Sequence, residues 1–482
     1  MDILMASAEL APVVRVGELA DAVASLAKTL GRLGHRVTVA LPRYRAVEQS
    51  GLQVARRLSP LAVQVRGESV PATIYDARLG SAVELVLIDV PGFYDRDGIY
   101  GELGSDYPDN ARRFGLFCRA LVELAQRRLQ EGRPFDVVHA HDWAAALLPF
   151  LLRRAGPPSV LTVHDGAHQG RCDRQAIDQI GLDWGDFHPE ALEFYGELNL
   201  LKAGVVGADA VAAVSPTYAL ELQTPAGGAG LDGLFRSRSA ALVGVANGID
   251  YARWSPATDP HLGARFDAED PSGKGRCRAA LRHALELGHS AERPLALCWG
   301  RPDQRGGADL LVEALPRMLR GDVQVVVAGT GEQTLQAELG RLAAAWPEQL
   351  RALGAVDDAM EHRLVAAADL VLLPARAEPG GLRAQYAQRY GALPVARATG
   401  GLKDAIVDCD AELETGTGFL FDEPTAADLH GAFARAVSAV RRPRWPALRR
   451  RVMRLDLGWE RPAQAYLRLY EQAARARAAR GS

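Results

Sequence analysis

Short apolar runs alternate with longer amphipathic segments along almost the whole of this chain, and that alternation most constrains its fold. Residues 37–41, 85–88, 137–139, 160–163 and 210–214 are dominated by aliphatic side chains, whichever face they point to. A strand apolar on both faces must be covered on both. Helical patterns at 19–33 and 111–129 supply that cover, as in a parallel sheet with crossover helices. The pattern restarts at 295–299, 323–328 and 370–374, with helical patterns at 308–319 and 334–345. Two doubly wound α/β units are predicted. The stretch 247–272, rich in Asp, Pro and Ser, is the expected boundary, because its prolines interrupt any single helix or strand. A last helix is expected over 461–477. Ligands of open α/β sheets bind at the carboxyl ends of the strands, so the expected site is a central cleft between the two units.

Length and composition fit this reading. A chain of 482 residues accommodates two or three domains. A formal net charge of −3 gives no global field for nucleic acid or an anionic membrane surface. Cys118, Cys172, Cys277, Cys298 and Cys409 form no C-x-x-C pair, which suits a reducing compartment and argues against a zinc site. The segment Met1-Asp2-Ile3-Leu4-Met5-Ala6-Ser7 reads as a first strand, and no apolar run approaches the ~20 residues of a membrane span. A cytoplasmic location is expected. Of 56 basic residues only four are lysine: Lys28, Lys202, Lys274 and Lys403. Any chemistry that needs an ammonium must use one of these or accept arginine.

The first βα turn runs Ala8-Glu9-Leu10-Ala11-Pro12-Val13-Val14-Arg15-Val16-Gly17-Glu18-Leu19. A glycine opening a helix after a strand suits a phosphate loop or simply a tight turn. Downstream, Asp136-Val137-Val138-His139-Ala140-His141-Asp142-Trp143 and Thr162-Val163-His164-Asp165-Gly166 each follow a strand. The run from His139 to Asp142 could be called a metal cluster, but alternation of faces along a strand argues against it. With Asn247-Gly248-Ile249-Asp250, Trp254-Ser255-Pro256-Ala257-Thr258-Asp259-Pro260, Tyr390-Gly391-Ala392-Leu393-Pro394 and Thr399-Gly400-Gly401-Leu402, the chain resembles the bacterial glycogen synthases and plant starch synthases. The resemblance runs from Met1 to Trp459-Glu460-Arg461.

That resemblance implies a retaining glycosyltransferase of the GT-B fold, transferring glucose from ADP-glucose to the non-reducing end of an α-1,4-glucan. It implies no metal and no other cofactor. Its domains would be an acceptor-side unit over 1–246, a nucleotide-sugar unit over 247–459, and a helix over 460–482 crossing back. By resemblance His164, Arg301, Arg305 and Glu378 are the catalytic candidates. Arg15, Gly17, Asp142, Asn247, Thr399, Gly400 and Gly401 are the donor-binding ones. Glu378 would bind glucose hydroxyls and favour an oxocarbenium-like transition state. Arg301 and the Thr399-Gly400-Gly401 turn would hold the departing diphosphate.

Several positions depart from the family pattern. Arg15-Val16-Gly17-Glu18 stands where the family reads K-T-G-G, and Glu18 would bring a carboxylate toward a diphosphate. Gly300-Arg301-Pro302-Asp303-Gln304-Arg305-Gly306-Gly307 stands for S-R-x-x-x-Q-K-G. Strict counting puts Gly306 at the lysine, whereas a one-residue slip puts Arg305 there. His164-Asp165 replaces His-Asn, Gly380 a cysteine, and Arg383-Ala384 a Thr-Gln pair. Three functions remain open on sequence: a glycogen synthase, a transferase with an altered donor or acceptor, and a non-catalytic glucan-binding homologue.

Overall fold

The computed structural model describes residues 1–102, 104–288 and 292–481. The chain divides into two compact units, Met1–Asn247 with Trp459–Ser482, and Gly248–Gly458. In the first, the main sheet runs Leu242–Gly244, Ala210–Ala213, Ser159–Val163, Val137–His141, Asp2–Ala6, Arg36–Pro42, Val83–Asp89, Glu68–Leu79, Ala55–Arg56. Pairing is parallel as far as Val83–Asp89, and the last two strands are antiparallel. Asp2–Ala6 and Val137–His141 are adjacent, and strand order reverses between them.

The antiparallel edge was not expected from sequence. Leu61–Val65 pairs with Glu68–Leu79 through Arg66 and Gly67, whose φ values of 48° and 83° make a tight two-residue hairpin. Leu61, Val63 and Val65 are buried while Ala62 and Gln64 are exposed. Such half-buried alternation is a weaker signal than a fully buried run.

The second sheet runs Leu350–Leu353, Gln324–Ala328, Leu295–Trp299, Leu370–Leu373, Leu393–Arg397, Phe419–Phe421, all parallel. Leu295, Leu297 and Trp299 enter one core and Ala296 another; Val326 and Ala328 oppose Val325 and Val327 in the same way. Both faces are dry, which is why these runs read as continuous apolar stretches. Strand order reverses between Leu295–Trp299 and Leu370–Leu373, the topological switch point of this sheet.

The final helix, Glu460–Gly481, belongs to the first unit. It buries Ala463, Tyr466, Leu469, Tyr470 and Ala473, a stripe at helical spacing. Arg477 donates to the fully buried Asp209 at 2.9 Å and to the carbonyls of Leu152 and Arg153. Asp209 also accepts the Ser159 amide, so the buried charge is well partnered. No described helix is long and apolar enough to cross a membrane.

Candidate functional site

In the first unit, the loops that leave the switch point are Ser7–Gly17 and the turn at Asp142. Glu9 organises the first loop. Its carboxylate is buried and accepts the Val16 and Gly17 amides at 2.7 and 2.8 Å on one oxygen and the Tyr100 hydroxyl at 2.8 Å on the other. The Gly17 N–H expected at an anion is therefore committed to Glu9. Arg15 lies on the surface of the loop and pairs with Asp21 at 3.0 Å. Glu18 is the first residue of the helix Glu18–Arg32, where the helix dipole favours a carboxylate. A carboxylate at this position therefore has a structural reason apart from any donor.

His139 and His141, two residues apart on Val137–His141, share a face, and their ring centroids are 4.0 Å apart. Alternation therefore does not separate them, and what rules their rings is hydrogen bonding. His139 Nδ1 meets the Tyr470 hydroxyl at 2.9 Å and Nε2 meets Thr162 Oγ1 at 2.7 Å. His141 Nδ1 lies 3.1 Å from His164 Nε2. Burial pushes His139 and His164 down to about 3 and His141 well below its ordinary value, so all three imidazoles are neutral near pH 7.

Asp142 adopts φ 58°, a left-handed conformation that a short polar side chain tolerates. Its Oδ1 accepts the amides of His164 at 2.9 Å and Asp165 at 3.2 Å, tying the ends of two strands together. Burial, reinforced by Asp165, raises its carboxyl well above the usual range. Asp165 folds into a local turn, accepting the Ala167 amide at 3.0 Å. Asn247 is buried at the end of this unit.

In the second unit, a cavity sits at the switch point, between the loops that follow Leu295–Trp299 and Leu370–Leu373. Arg301, Gly306, Glu378 and Arg383 line it, together with Gly300 and Pro302. Arg301 is largely exposed, with Nε 3.5 Å from Asp303 Oδ2, and Asp303 also accepts the Gly306 amide at 2.7 Å. Glu378 is buried, and its Oε2 accepts Arg383 Nη2 at 2.7 Å. Arg305 is not among the lining residues; its carbonyl accepts the Arg376 amide at 2.8 Å. Arg376 also pairs with Asp309 at 2.6 and 2.7 Å, binding the two loops to each other.

The Thr399-Gly400-Gly401 turn packs backbone to backbone on the Glu378 loop. A Cβ on Gly400, whose φ is 45°, would lie 2.2 Å from the Glu378 carbonyl oxygen, and one on Gly401 would lie 2.3 Å from the Gly380 carbonyl carbon. The Gly401 amide donates to Glu378 O at 2.9 Å, not to an open anion site as expected from sequence. These glycines hold the loop bearing Glu378 in place. Thr399 is buried beside them. Ala384, one residue beyond Arg383, is wholly buried.

His261, Asp358 and His362 place ligand atoms within 4.8 Å of one another, a spacing a metal ion could use. The group is integrated into a network of its own. Arg253 pairs with Asp358, and His362 Nδ1 lies 2.7 Å from Asp259, which also accepts the Tyr390 hydroxyl. Glu9, His141 and Arg383 were not singled out as site residues in the sequence. For Arg383 the available signal was its departure from the family pattern five residues after Glu378.

Comparison with known proteins matches residues 2–237 to the starch synthase catalytic domain family and residues 283–444 to the glycosyl transferases group 1 family. The chain is 42% identical to a glycogen synthase of Anaeromyxobacter sp. (strain Fw109-5), covering 98% of this chain and 100% of that one. It is 40% identical to a glycogen synthase of Thioalkalivibrio sulfidiphilus, over 98% and 99%. Among solved structures it is similar to the catalytic domain of starch synthase IV from Arabidopsis thaliana bound to ADP and acarbose. That match has TM-score 0.89 and 30% identity, covering 98% of this chain and 99% of that one. Sucrose-phosphate synthase from Thermosynechococcus elongatus, at 17% identity and TM-score 0.61 over 98% and 99%, shares the fold.

Proposed function

Because the chain belongs to the glycogen synthase and starch synthase family of GT-B glycosyltransferases, we propose that it transfers glucose from ADP-glucose to the non-reducing end of an α-1,4-glucan, with retention. The observation that carries this reading furthest is the cavity at the second sheet's switch point, where Glu378 meets the Arg383 guanidinium and Arg301 lines the same space. Departure of ADP places negative charge on a diphosphate while positive charge develops on the sugar. Preorganised cations answer the first and a carboxylate the second. Arg301 is assigned to the diphosphate and Glu378 to the glucosyl unit. Thr399, Gly400 and Gly401 are assigned to holding the Glu378 loop on the donor.

In the first unit we assign His164 to the glucosyl unit and Arg15, Gly17, Asp142 and Asn247 to donor binding. The neutral His164 ring suits hydrogen bonding to a sugar hydroxyl rather than charge pairing. No metal or other cofactor is assigned a role. The reaction is placed in the cytoplasm, consistent with five unpaired cysteines.

Incorporation of labelled glucose from ADP-glucose into glycogen tests the proposal, with UDP-glucose run in parallel. Turnover with ADP-glucose well above background is expected. A preference for UDP-glucose would replace the donor. No turnover with either, alongside retained glycogen binding, would make the chain a glucan-binding homologue.

A further inference from the structure

Arg383 reaches into the second unit's cavity beside Glu378. Its Nη2 donates to Glu378 Oε2 at 2.7 Å and its Nη1 to the Trp299 carbonyl at 2.8 Å. The guanidinium lies under Gly300, where a Cβ would come within 2.1 Å of Nη1. A glycine at 300 is therefore what admits an arginine from position 383. The residue is the second of the helix Leu382–Arg389, two positions after the left-handed Gly381, so its side chain returns to the loop bearing Glu378.

We propose that Arg383, rather than Arg305, is the second cation that binds the diphosphate of the donor. This rests on reading the cavity as the donor diphosphate subsite. Arg301 and Arg383 both line it, and Glu378 is the carboxylate that balances one of them. Glu378 holds Arg383 at 2.7 Å, while Asp303 meets Arg301 only at 3.5 Å, so two guanidinium groups face the site against two carboxylates, one of them loosely engaged. A guanidinium anchored by two hydrogen bonds is preorganised, and its planar fork binds phosphate oxygens through more than one N–H. Arg305 lies off the lining, with its carbonyl engaged by Arg376.

Calorimetric titration of the full chain with ADP and with adenosine tests the assignment on R301Q, R305Q, R383Q and R383K. R383Q is expected to weaken ADP by about 10- to 100-fold, the loss of charge-assisted hydrogen bonds. Adenosine, which lacks the phosphates, should shift less than about 2-fold by the same argument. R383K, keeping charge without the fork, falls between, and serves if R383Q does not fold. R305Q should stay within about 3-fold of the parent, as expected of a side chain off the lining. Equal loss of ADP and adenosine in R383Q would reduce Arg383 to a structural role and overturn the proposal. So would loss of ADP in R305Q with ADP retained in R383Q, which would leave the subsite reading standing. Undiminished ADP binding in both R301Q and R383Q would instead remove the subsite reading itself.

Discussion

His141 Nδ1 faces His164 Nε2 at 3.1 Å, and one proton serves both nitrogens. The other nitrogen of His141, Nε2, is buried without a hydrogen-bond partner among the described residues. A bare lone pair there costs less than an orphaned N–H, because buried donors are the group least often left unpaired. The proton of His141 therefore belongs on Nδ1, donated to His164. That leaves His164 with its own proton on Nδ1, on the ring edge away from His141.

Nitrogen chemical shifts of histidine-labelled protein check this. His164 should show a protonated Nδ1 and a bare Nε2, and H141F should abolish that single tautomer. With the donor to His164 gone, glucosyl transfer should drop by about 10-fold, the worth of one well-made hydrogen bond. An unchanged His164 tautomer in H141F would refute the assignment.

The same cluster dictates how the fold responds to acid. His139 and His164 are held near 3 and His141 well below its ordinary value, whereas an unfolded histidine takes up its proton near 6.5. Below that value the unfolded chain binds protons that the native one refuses, so stability falls as pH falls. Each histidine contributes about 1.4 kcal/mol per pH unit between the two values. Asp142, whose carboxyl is raised by burial, acts with the opposite sign, since there the native state holds the extra proton. Three groups against one leave a net loss. Urea unfolding at pH 7.5, 6.5 and 5.5 should show stability declining more steeply beneath 6.5 than above it. Equal stability at all three would contradict the native-state neutrality of these rings.

Two glycines of the candidate site make opposite predictions. Gly400 has φ 45°, and a Cβ would press on the Glu378 carbonyl. Gly17 has extended backbone, with φ −142°, and nothing within 4 Å of an added Cβ. G400A should cost about 2 kcal/mol or more through strain and a displaced Glu378 loop. G17A should change stability by less than about 1 kcal/mol. Thermal melts of the two variants decide it, and comparable losses would mean the close approach at Gly400 does not constrain the loop.

How much of this was legible in the sequence depends on the range of the interaction. The strands Leu295–Trp299 and Gln324–Ala328 are readable because both their faces are buried, while the hairpin at Arg66-Gly67 is not, its outer face being wet. Glu378 and His164 are readable as motif positions. Glu9 is not, because a carboxylate in a loop gains meaning only when Val16, Gly17 and Tyr100 converge on it. Arg383 reads as the loss of a small hydroxyl residue until Gly300 is seen beneath it. Glu18 reads as a charge in the wrong place until the helix it opens supplies a dipole.

The scarcity of lysine sharpens the last prediction. Two of the four are buried with their ammonium groups on backbone carbonyls. Lys202 Nζ donates to the carbonyls of Pro189 and Glu193, and the fully buried Lys274 Nζ donates to Ala366 O at 3.0 Å and Tyr390 O at 2.8 Å. Burial drives the Lys274 ammonium well below its ordinary value, yet two carbonyls depend on its protons. An arginine adds atoms and a rigid plane to a site shaped for a compact ammonium. K274R should therefore destabilise by about 2 kcal/mol through overpacking. K274M, which strands two carbonyls, should cost a similar amount, about 2 kcal/mol. The exposed Lys403 provides the control, with K403R expected within about 0.5 kcal/mol of the parent. Denaturant midpoints of the three variants measure the differences. A K274R midpoint equal to that of K403R would show that this interior site admits a guanidinium, and would leave the retention of lysine there without a steric cause.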